Sequence, residues 1–360
     1  MNINDVSVEL STGERRVTYD GITGLRYWRA GVPDAPVLLF LSGGGHLARI
    51  AYGVDGIDQT QFLDHWLARE GWSVLALSYP TDHPAVGAPL PEITLVEWAR
   101  WVARATADVL DENPARGVFA ALWSMAGRSC NALNAAFREC GQELAAVISL
   151  AAMPPLDGLM NVTPGGEPLT SGNLWAIGPS DRGPDNLWVR EFLADLAAQS
   201  ERDGVTIVPE QRYLQDFLCN TPIMLRGTPQ RIRNGHPEWD RAAAISDTRS
   251  DELDAYPLAA AITPTAPEDG RHVLMDAVSW SFVCAQAIRA RWQAAGQPTT
   301  RWPDLVKLAL QSRARLQREI PGNHFFFVGS AGAAATTAAI VALSKELREL
   351  SDEIDRLLVG

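Results

Sequence analysis

A serine stands at the end of an apolar segment, in a position where it could act as a nucleophile. Residues 118–123 read Val-Phe-Ala-Ala-Leu-Trp, Ser124 follows, and residues 125–137 have the composition of a helix. The apolar segment predicts a buried strand. A serine at a tight strand-to-helix turn lies at a helix N-terminus, whose partial positive charge favours developing anions. The alternative is a serine that only caps a helix after a buried strand.

Two other segments carry residues that would complete acyl-transfer chemistry. His324 lies in Ile-Pro-Gly-Asn-His-Phe after a short predicted strand near Glu319 and Ile320, and a histidine there can act as a general base. The segment 41–46 reads Leu-Ser-Gly-Gly-Gly-His and follows another apolar run. Glycines after a buried strand free backbone N–H groups to point into a cleft.

Each of these segments also has a structural interpretation. His324 could be a solvated loop histidine or cap the final helix. The glycine run could bind phosphate, but no Gly-Lys-Ser/Thr or Gly-x-Gly-x-x-Gly pattern accompanies it. His46 beside the glycines could contact a substrate or serve the fold alone.

Together the three segments resemble the α/β-hydrolase superfamily. The serine segment resembles its nucleophile elbow, Gly-x-Ser-x-Gly, with Leu122 and Ala126 in place of the outer glycines. The resemblance implies that Ser124 is the nucleophile and His324 the base. It also implies that the N–H groups of Gly44 and Met125 form the oxyanion hole, with Gly43 or Gly45 as alternatives to Gly44. Ser42 stands where the superfamily often has histidine.

The acid that should orient the histidine is missing from its expected place. In the superfamily it usually lies a few residues after the strand that we match to 221–227, and Thr228-Pro229-Gln230 contains no acid. Four carboxylates remain as candidates: Asp157, Glu238, Asp240 and Asp276.

Strand and helix patterns alternate along the chain. We expect strands at 6–10, 24–28, 36–41, 72–77, 118–123, 145–150 and 221–227, and near 319–320. We expect helices at 62–70, 95–110, 125–137, 187–199, 210–218, 273–293, 302–316 and 331–358. This alternation predicts an α/β fold with a mostly parallel central sheet flanked by helices. We expect residues 1–155 and 221–360 to form the core, with an irregular insertion at about 229–270, and residues 156–220 to form an inserted helical cap.

Composition excludes several classes of function. A formal net charge of −12 argues against a nucleic-acid partner. No apolar run reaches the roughly 18 residues that a membrane span needs, and residues 1–7 do not resemble a signal peptide. The four cysteines lack metal-ligand spacing. We therefore expect a cytoplasmic protein with no metal and no organic cofactor.

The predicted activity is that of a serine hydrolase. We expect an acyl-enzyme on Ser124 and a small-molecule carboxylic ester or thioester as substrate, with an apolar portion that Trp175 and Trp188 could contact. Arg128, one turn after the serine, could meet an acidic substrate group or pair with a surface acid. The alternatives are an acyltransferase, a cyclising thioesterase or a carbon–carbon bond hydrolase on the same fold. A non-catalytic small-molecule-binding protein with a decayed site is the alternative from another class.

Overall fold

The central feature of the fold is an eight-stranded sheet. A computed structural model describes residues 10–159, 162–179 and 186–359. Its strands in chain order are β1 (Glu14–Tyr19), β2 (Ile22–Arg29), β3 (Val37–Leu41), β4 (Ser73–Ser78), β5 (Val118–Trp123), β6 (Leu144–Leu150), β7 (Leu174–Trp175), β8 (Thr221–Pro222), β9 (Gln230–Arg233), β10 (His236–Trp239), β11 (Ala259–Pro264) and β12 (Gln317–Ile320).

The strand order in the large sheet is β1-β2-β4-β3-β5-β6-β11-β12. Strand β2 pairs antiparallel with β1 and with β4. Every other pairing, from β4 through β3, β5, β6 and β11 to β12, is parallel. The carboxyl ends of six strands therefore meet at one edge, which is where ligands bind in open α/β sheets.

The helices cover both faces of this sheet. They are α1 (Arg49–Tyr52), α2 (Leu63–Arg69), α3 (Leu95–Glu112), α4 (Cys130–Glu139), α5 (Leu187–Asp203), α6 (Glu210–Asp216), α7 (Arg241–Thr248), α8 (Gly270–Ala294), α9 (Trp302–Arg315) and α10 (Ser330–Val359). Every residue of β3, β4 and β5 is buried. Continuous burial along a strand requires cover on both faces, which explains the uninterrupted apolar runs.

The predicted fold class is confirmed, as are most of the predicted elements. Strand β1 was not expected, and the predicted strand at 6–10 lies outside the described residues except for Leu10. The long predicted helix at the C-terminus is α10. Within the described ranges, no helix is both long and apolar enough to cross a bilayer.

The prediction of a sheet strand at 221–227 is wrong. Only β8 pairs there, antiparallel to β7 in a separate two-stranded sheet, and Ile223–Arg226 winds into a 3-10 turn. Pro222 lacks an N–H group and cannot continue a central strand. The strand that lies next to β6 in the large sheet is β11 instead.

Strand β11 lies inside the segment 229–270, which was predicted to be irregular, so that part of the prediction is also wrong. Its sequence is Ala-Ala-Ala-Ile-Thr-Pro, and all six residues are buried. Alanine has a low preference for strands, so composition gave little indication of this one. The segment 156–220 contains β7, α5 and α6. Its role as a cap remains a prediction.

Candidate active site

Ser124 follows β5 directly and has a backbone φ of +55°, which is unusual for a residue with a side chain. It begins a 3-10 turn, Ser124–Ser129, that continues into α4. A left-handed conformation at such a residue costs on the order of 1–3 kcal/mol and is characteristic of functional sites. Strand β5 thus ends in a strained turn that exposes part of the serine side chain.

Two glycines allow the chain to approach this turn closely. A Cβ on Gly43 would lie 2.7 Å from Ser124 Cβ, and one on Gly127 would lie 2.4 Å from the Met153 carbonyl oxygen. The two departures from the elbow pattern, Leu122 and Ala126, are both buried. On this side of the serine, the position that has no room for a side chain is therefore Gly127, one residue after Ala126, which stands where the elbow pattern has its second glycine.

His324 lies four residues after the end of β12, at the same edge of the sheet as Ser124. Gly322, with φ of +148°, turns the chain back so tightly that a Cβ there would lie 2.9 Å from Phe326 Cα. Trp123 donates a hydrogen bond from Nε1 to the His324 carbonyl oxygen at 3.2 Å. The end of β5 and the histidine loop are thereby joined.

The acid that faces His324 is Asp269. Its Oδ2 lies 2.9 Å from His324 Nδ1. Asp269 ends a short 3-10 turn, Pro267–Asp269, between β11 and α8. Sequence reasoning missed this residue because it placed the neighbouring strand at 221–227. The indication available in the sequence was the apolar run of β11 with two acids shortly after it.

The charges of this pair shift both pKa values. Burial lowers the pKa of His324, but the charge and hydrogen bond of Asp269, with the charges of Asp195 and Asp276, outweigh it and raise that pKa. Burial raises the pKa of Asp269, but the charge and hydrogen bond of His324, with the charges of His272 and Arg271, outweigh it, so the net shift is downward. At neutral pH Asp269 is therefore an anion that can support an imidazolium.

The four carboxylates proposed from sequence contact other groups. Asp157 pairs with Arg241, and Glu238 and Asp240 pair with Arg233. Asp276 is buried, and its Oδ2 lies 3.1 Å from His272 Nδ1. None of these four candidates has a hydrogen bond to His324 in the described ranges, where Asp269 takes that place.

Two backbone N–H groups suit an oxyanion hole. Gly44 and Met125 line the same cavity as Ser124 and His324. Met125 lies in the first turn of its helix, where N–H groups lack partners within the helix. Gly45 donates its N–H to Thr221 Oγ1 at 2.7 Å. That bond occupies the Gly45 N–H, and of the three glycines at 43–45 it is Gly44 that lines the cavity.

The cavity has a volume of about 270 Å³ and a mixed lining. Its apolar wall includes Trp123, Trp175, Trp188 and Phe192. The rings of Trp175 and Trp188 meet edge to face, with centroids 5.6 Å apart. Trp175, which β7 carries, and Trp188, which α5 carries, thus both face the space beside the serine.

The strand order and the positions of Ser124, Asp269 and His324 along it are those of a known fold. Each follows a parallel strand, β5, β11 and β12 in turn, and all three line one cavity at the carboxyl edge of the sheet. The chain has an α/β-hydrolase fold.

Comparisons with solved structures find similar folds at low sequence identity. A thermophilic esterase from Thermogutta terrifontis is 12% identical, with a TM-score of 0.49 over 93% of this chain and 99% of that one. The thioesterase domain of the curacin biosynthetic pathway is 15% identical, with a TM-score of 0.38 over 91% and 98%. A monoacylglycerol lipase from Paleococcus ferrophilus is 12% identical, with a TM-score of 0.44 over 91% and 99%. No protein-family model and no curated protein matches the sequence.

His46 packs under the glycine segment 43–45 of this hydrolase fold and contacts its backbone. It is fully buried, its Nδ1 lies 3.1 Å from the Gly44 carbonyl oxygen, and its Nε2 lies 2.6 Å from the Tyr213 hydroxyl. Burial lowers the pKa of His46 to about 3. The ring is therefore neutral: Nδ1–H donates to Gly44, and Nε2 accepts from Tyr213. This arrangement favours the structural interpretation of His46.

Arg128 bonds carbonyl oxygens of two loops instead of a carboxylate. Its Nη1 donates to the carbonyl oxygens of Pro154 and Leu156, and its Nη2 donates to that of Gly227. Burial lowers its pKa to about 10. The expected pairing with a surface acid is therefore wrong, and contact with a substrate acid stays a prediction. Its hydrogen bonds fix the segment after β6, which contributes Met153 to the cavity.

A second histidine lies next to the Asp269–His324 pair. The rings of His272 and His324 have centroids 5.1 Å apart. Asp269, His272 and His324 each offer an atom of a kind that metals bind, and these atoms lie within 4.8 Å of one another. Asp269 and His324 already bond each other directly, an arrangement that suits proton transfer.

Proposed function

We propose that this protein is a serine hydrolase that cleaves a small-molecule carboxylic ester or thioester. The observation that carries the proposal is the Asp269–His324 hydrogen bond, at a cavity that Ser124 also lines. Ser124 would be the nucleophile, His324 the general base, and Asp269 the acid that orients the imidazole.

The first step is attack by the serine. Because His324 Nδ1–H donates to Asp269, its Nε2 is free of a proton and can accept one from Ser124 Oγ. The oxygen forms a bond to the substrate carbonyl carbon as its proton passes to Nε2. The Asp269 carboxylate stabilises the imidazolium that results.

The second step is loss of the leaving group. The N–H groups of Gly44 and Met125 would donate to the oxyanion of the tetrahedral intermediate. The bond from the carbonyl carbon to the leaving oxygen or sulfur breaks, and His324 returns its proton to that atom. Water then attacks the acyl-enzyme by the same route and releases the acid.

The cavity supports a small substrate with an apolar portion. Aromatic rings form one wall, and α5 supplies four residues that line the cavity: Trp188, Glu191, Phe192 and Asp195. We propose that the segment 156–220, to which α5 belongs, acts as the cap and selects the acyl portion. Acyl transfer of this kind requires no redox group or metal, and the proposed reaction includes neither.

We further propose that the enzyme works in the reducing cytoplasm, since all four cysteines are free.

Other reactions on the same fold remain alternatives. An acyltransferase, a cyclising thioesterase or a carbon–carbon bond hydrolase would use the same three side chains. A non-catalytic binding protein with a decayed site would have no need for the oriented acid behind His324. The intact Asp269–His324 pair therefore supports an enzyme.

The test is turnover of a panel of aryl esters and acyl thioesters with short and medium acyl chains, with and without alcohol or amine acceptors. The proposal expects hydrolysis in water alone, abolished in Ser124→Ala. Products formed only with an acceptor would support a transferase instead. Turnover that persists in Ser124→Ala would contradict the serine mechanism.

A further inference from the structure

Four titratable side chains form a row that begins at the wall of the cavity, where Asp269, His272 and His324 line it. Asp276 Oδ2 lies 3.1 Å from His272 Nδ1, and His272 Nε2 lies 3.9 Å from Asp269 Oδ1. The other oxygen of Asp269, Oδ2, bonds His324 Nδ1 at 2.9 Å. The acid of the proposed triad thus has one oxygen on the base and the other turned toward a second histidine.

His272 and Asp276 are both buried. The side chain of His272 is 9% exposed and that of Asp276 is 4% exposed. A buried carboxylate without a compensating proton or donor is costly. Burial raises the pKa of Asp276, and although the hydrogen bond and charge of His272 oppose that shift, the net change is upward. His272 Nδ1 is therefore the hydrogen-bond partner that offsets the burial of Asp276.

The contact with Asp276 fixes which atom faces Asp269. Because His272 Nδ1 lies against Asp276, Nε2 is the ring nitrogen that faces Asp269 Oδ1. A hydrogen on Nε2 would be attracted to that carboxylate oxygen, whereas a lone pair there would be repelled by it.

We propose that His272, backed by Asp276, is a positioning residue that directs an N–H group at the second oxygen of Asp269 and so sets the basicity of His324. This inference rests on the proposed function. The contact at 3.9 Å is longer than a hydrogen bond and acts by charge and dipole across the gap. A donor on Oδ1 withdraws charge from the carboxylate, so Asp269 stabilises the His324 imidazolium less.

Other charged groups also face this row, and the test must hold them constant. They are Asp195 on α5, Glu268 before α8, and Arg271 beside His272. Each stays in place when only His272 is changed. A shift in the titration of His324 then reports on His272 together with Asp276, the carboxyl group that it bonds.

The experiment compares His272→Phe, which keeps a ring and removes both nitrogens, with His272→Gln, which keeps an N–H group near the position of Nε2. His236→Phe is the matched control, since His236 is an exposed histidine on β10. Two quantities are measured across pH: the rate of labelling by a fluorophosphonate, and the His324 titration by NMR of ¹⁵N-labelled histidine. Circular dichroism checks folding of each variant.

We expect His272→Phe to raise the pKa of His324 by about half a unit to one unit, and so to slow labelling at neutral pH by at most about threefold to tenfold. His272→Gln should restore much of both, and His236→Phe should change neither.

A folded His272→Phe protein whose His324 titrates as in the wild type would overturn the inference, even if labelling were slower. Absence of labelling in the wild type would instead count against the proposed function, while the NMR titration would still test the role of His272.

Discussion

Asp269 Oδ2 lies 2.9 Å from His324 Nδ1, although the two residues are 55 positions apart in the chain. The pairing arises because β11 and β12 are parallel neighbours and both residues follow their strands. The sheet brings the acid and the base together at the edge where β5 ends and Ser124 follows it. This relationship underlies the first two predictions.

Replacing the acid should disable the base without unfolding the protein. In Asp269→Asn, the amide can donate to His324 Nδ1, which moves the imidazole proton to Nε2 and blocks acceptance from serine. We expect fluorophosphonate labelling to slow by roughly 10³- to 10⁴-fold. Asp157→Asn is the matched control, since Asp157 pairs with Arg241 at the surface. A rate in Asp269→Asn equal to that of the control would show that Asp269 is not the acid.

The pH dependence of labelling should reflect the raised pKa of His324. Labelling requires neutral imidazole, so its rate should rise with pH and reach half its maximum above 6.5, the ordinary value. Asp269→Asn should move this midpoint downward, because the charge that stabilises the imidazolium is lost. A wild-type midpoint below 6.5 would mean that burial outweighs the carboxylates.

Backbone strain at Ser124 should lower the free energy of unfolding by a measurable amount. Ser124 has φ of +55°, which glycine adopts without a steric penalty. The free energy of unfolding should therefore be about 1 kcal/mol higher for Ser124→Gly than for Ser124→Ala. Denaturant titration of the two inactive variants measures the difference. If the alanine variant were the more stable of the two, the turn would not be strained.

Buried neutral His46 should make the protein sensitive to acid. Its folded pKa of about 3 lies below the ordinary 6.5, so the unfolded chain binds a proton between these values and the folded chain does not. The free energy of unfolding should therefore fall as pH drops below 6.5, by about 1.4 kcal/mol per pH unit from this group.

His46→Gln should weaken that dependence. The variant should be less stable at neutral pH, because it loses the ring contacts around His46, but its stability should decline less steeply with acid. Carboxylates and the other histidines titrate in both proteins, so the difference between the two curves isolates His46. Parallel curves would indicate that His46 is protonated in the folded state.

Much of this fold was predictable from sequence because its strands are unusually clear. The runs at β3 and β5 are long, apolar and buried on both faces, so their ends located Gly44 and Ser124 at one edge of the sheet. The loop of His324 was marked by proline and glycine after a short strand. Local patterns were sufficient for these positions.

Asp269 could not be predicted because its place depends on which strand lies beside β6. An alanine-rich strand has weak intrinsic preference, whereas Ile223-Met224-Leu225 reads as an apolar strand and folds into a 3-10 turn. The pairing of β11 with β6 and β12 is a tertiary choice. For the same reason, the contact of Asp269 with His272 was not visible in the sequence.

The most direct test of the central claim is the site of covalent modification by a fluorophosphonate. The protein is treated with the reagent, its intact mass is measured, and the modified peptide is mapped by mass spectrometry. Our account predicts a single adduct on Ser124, absent in Ser124→Ala and formed far more slowly in His324→Gln. A folded wild-type protein that remains unmodified, or that carries its adduct on another residue, would contradict the account.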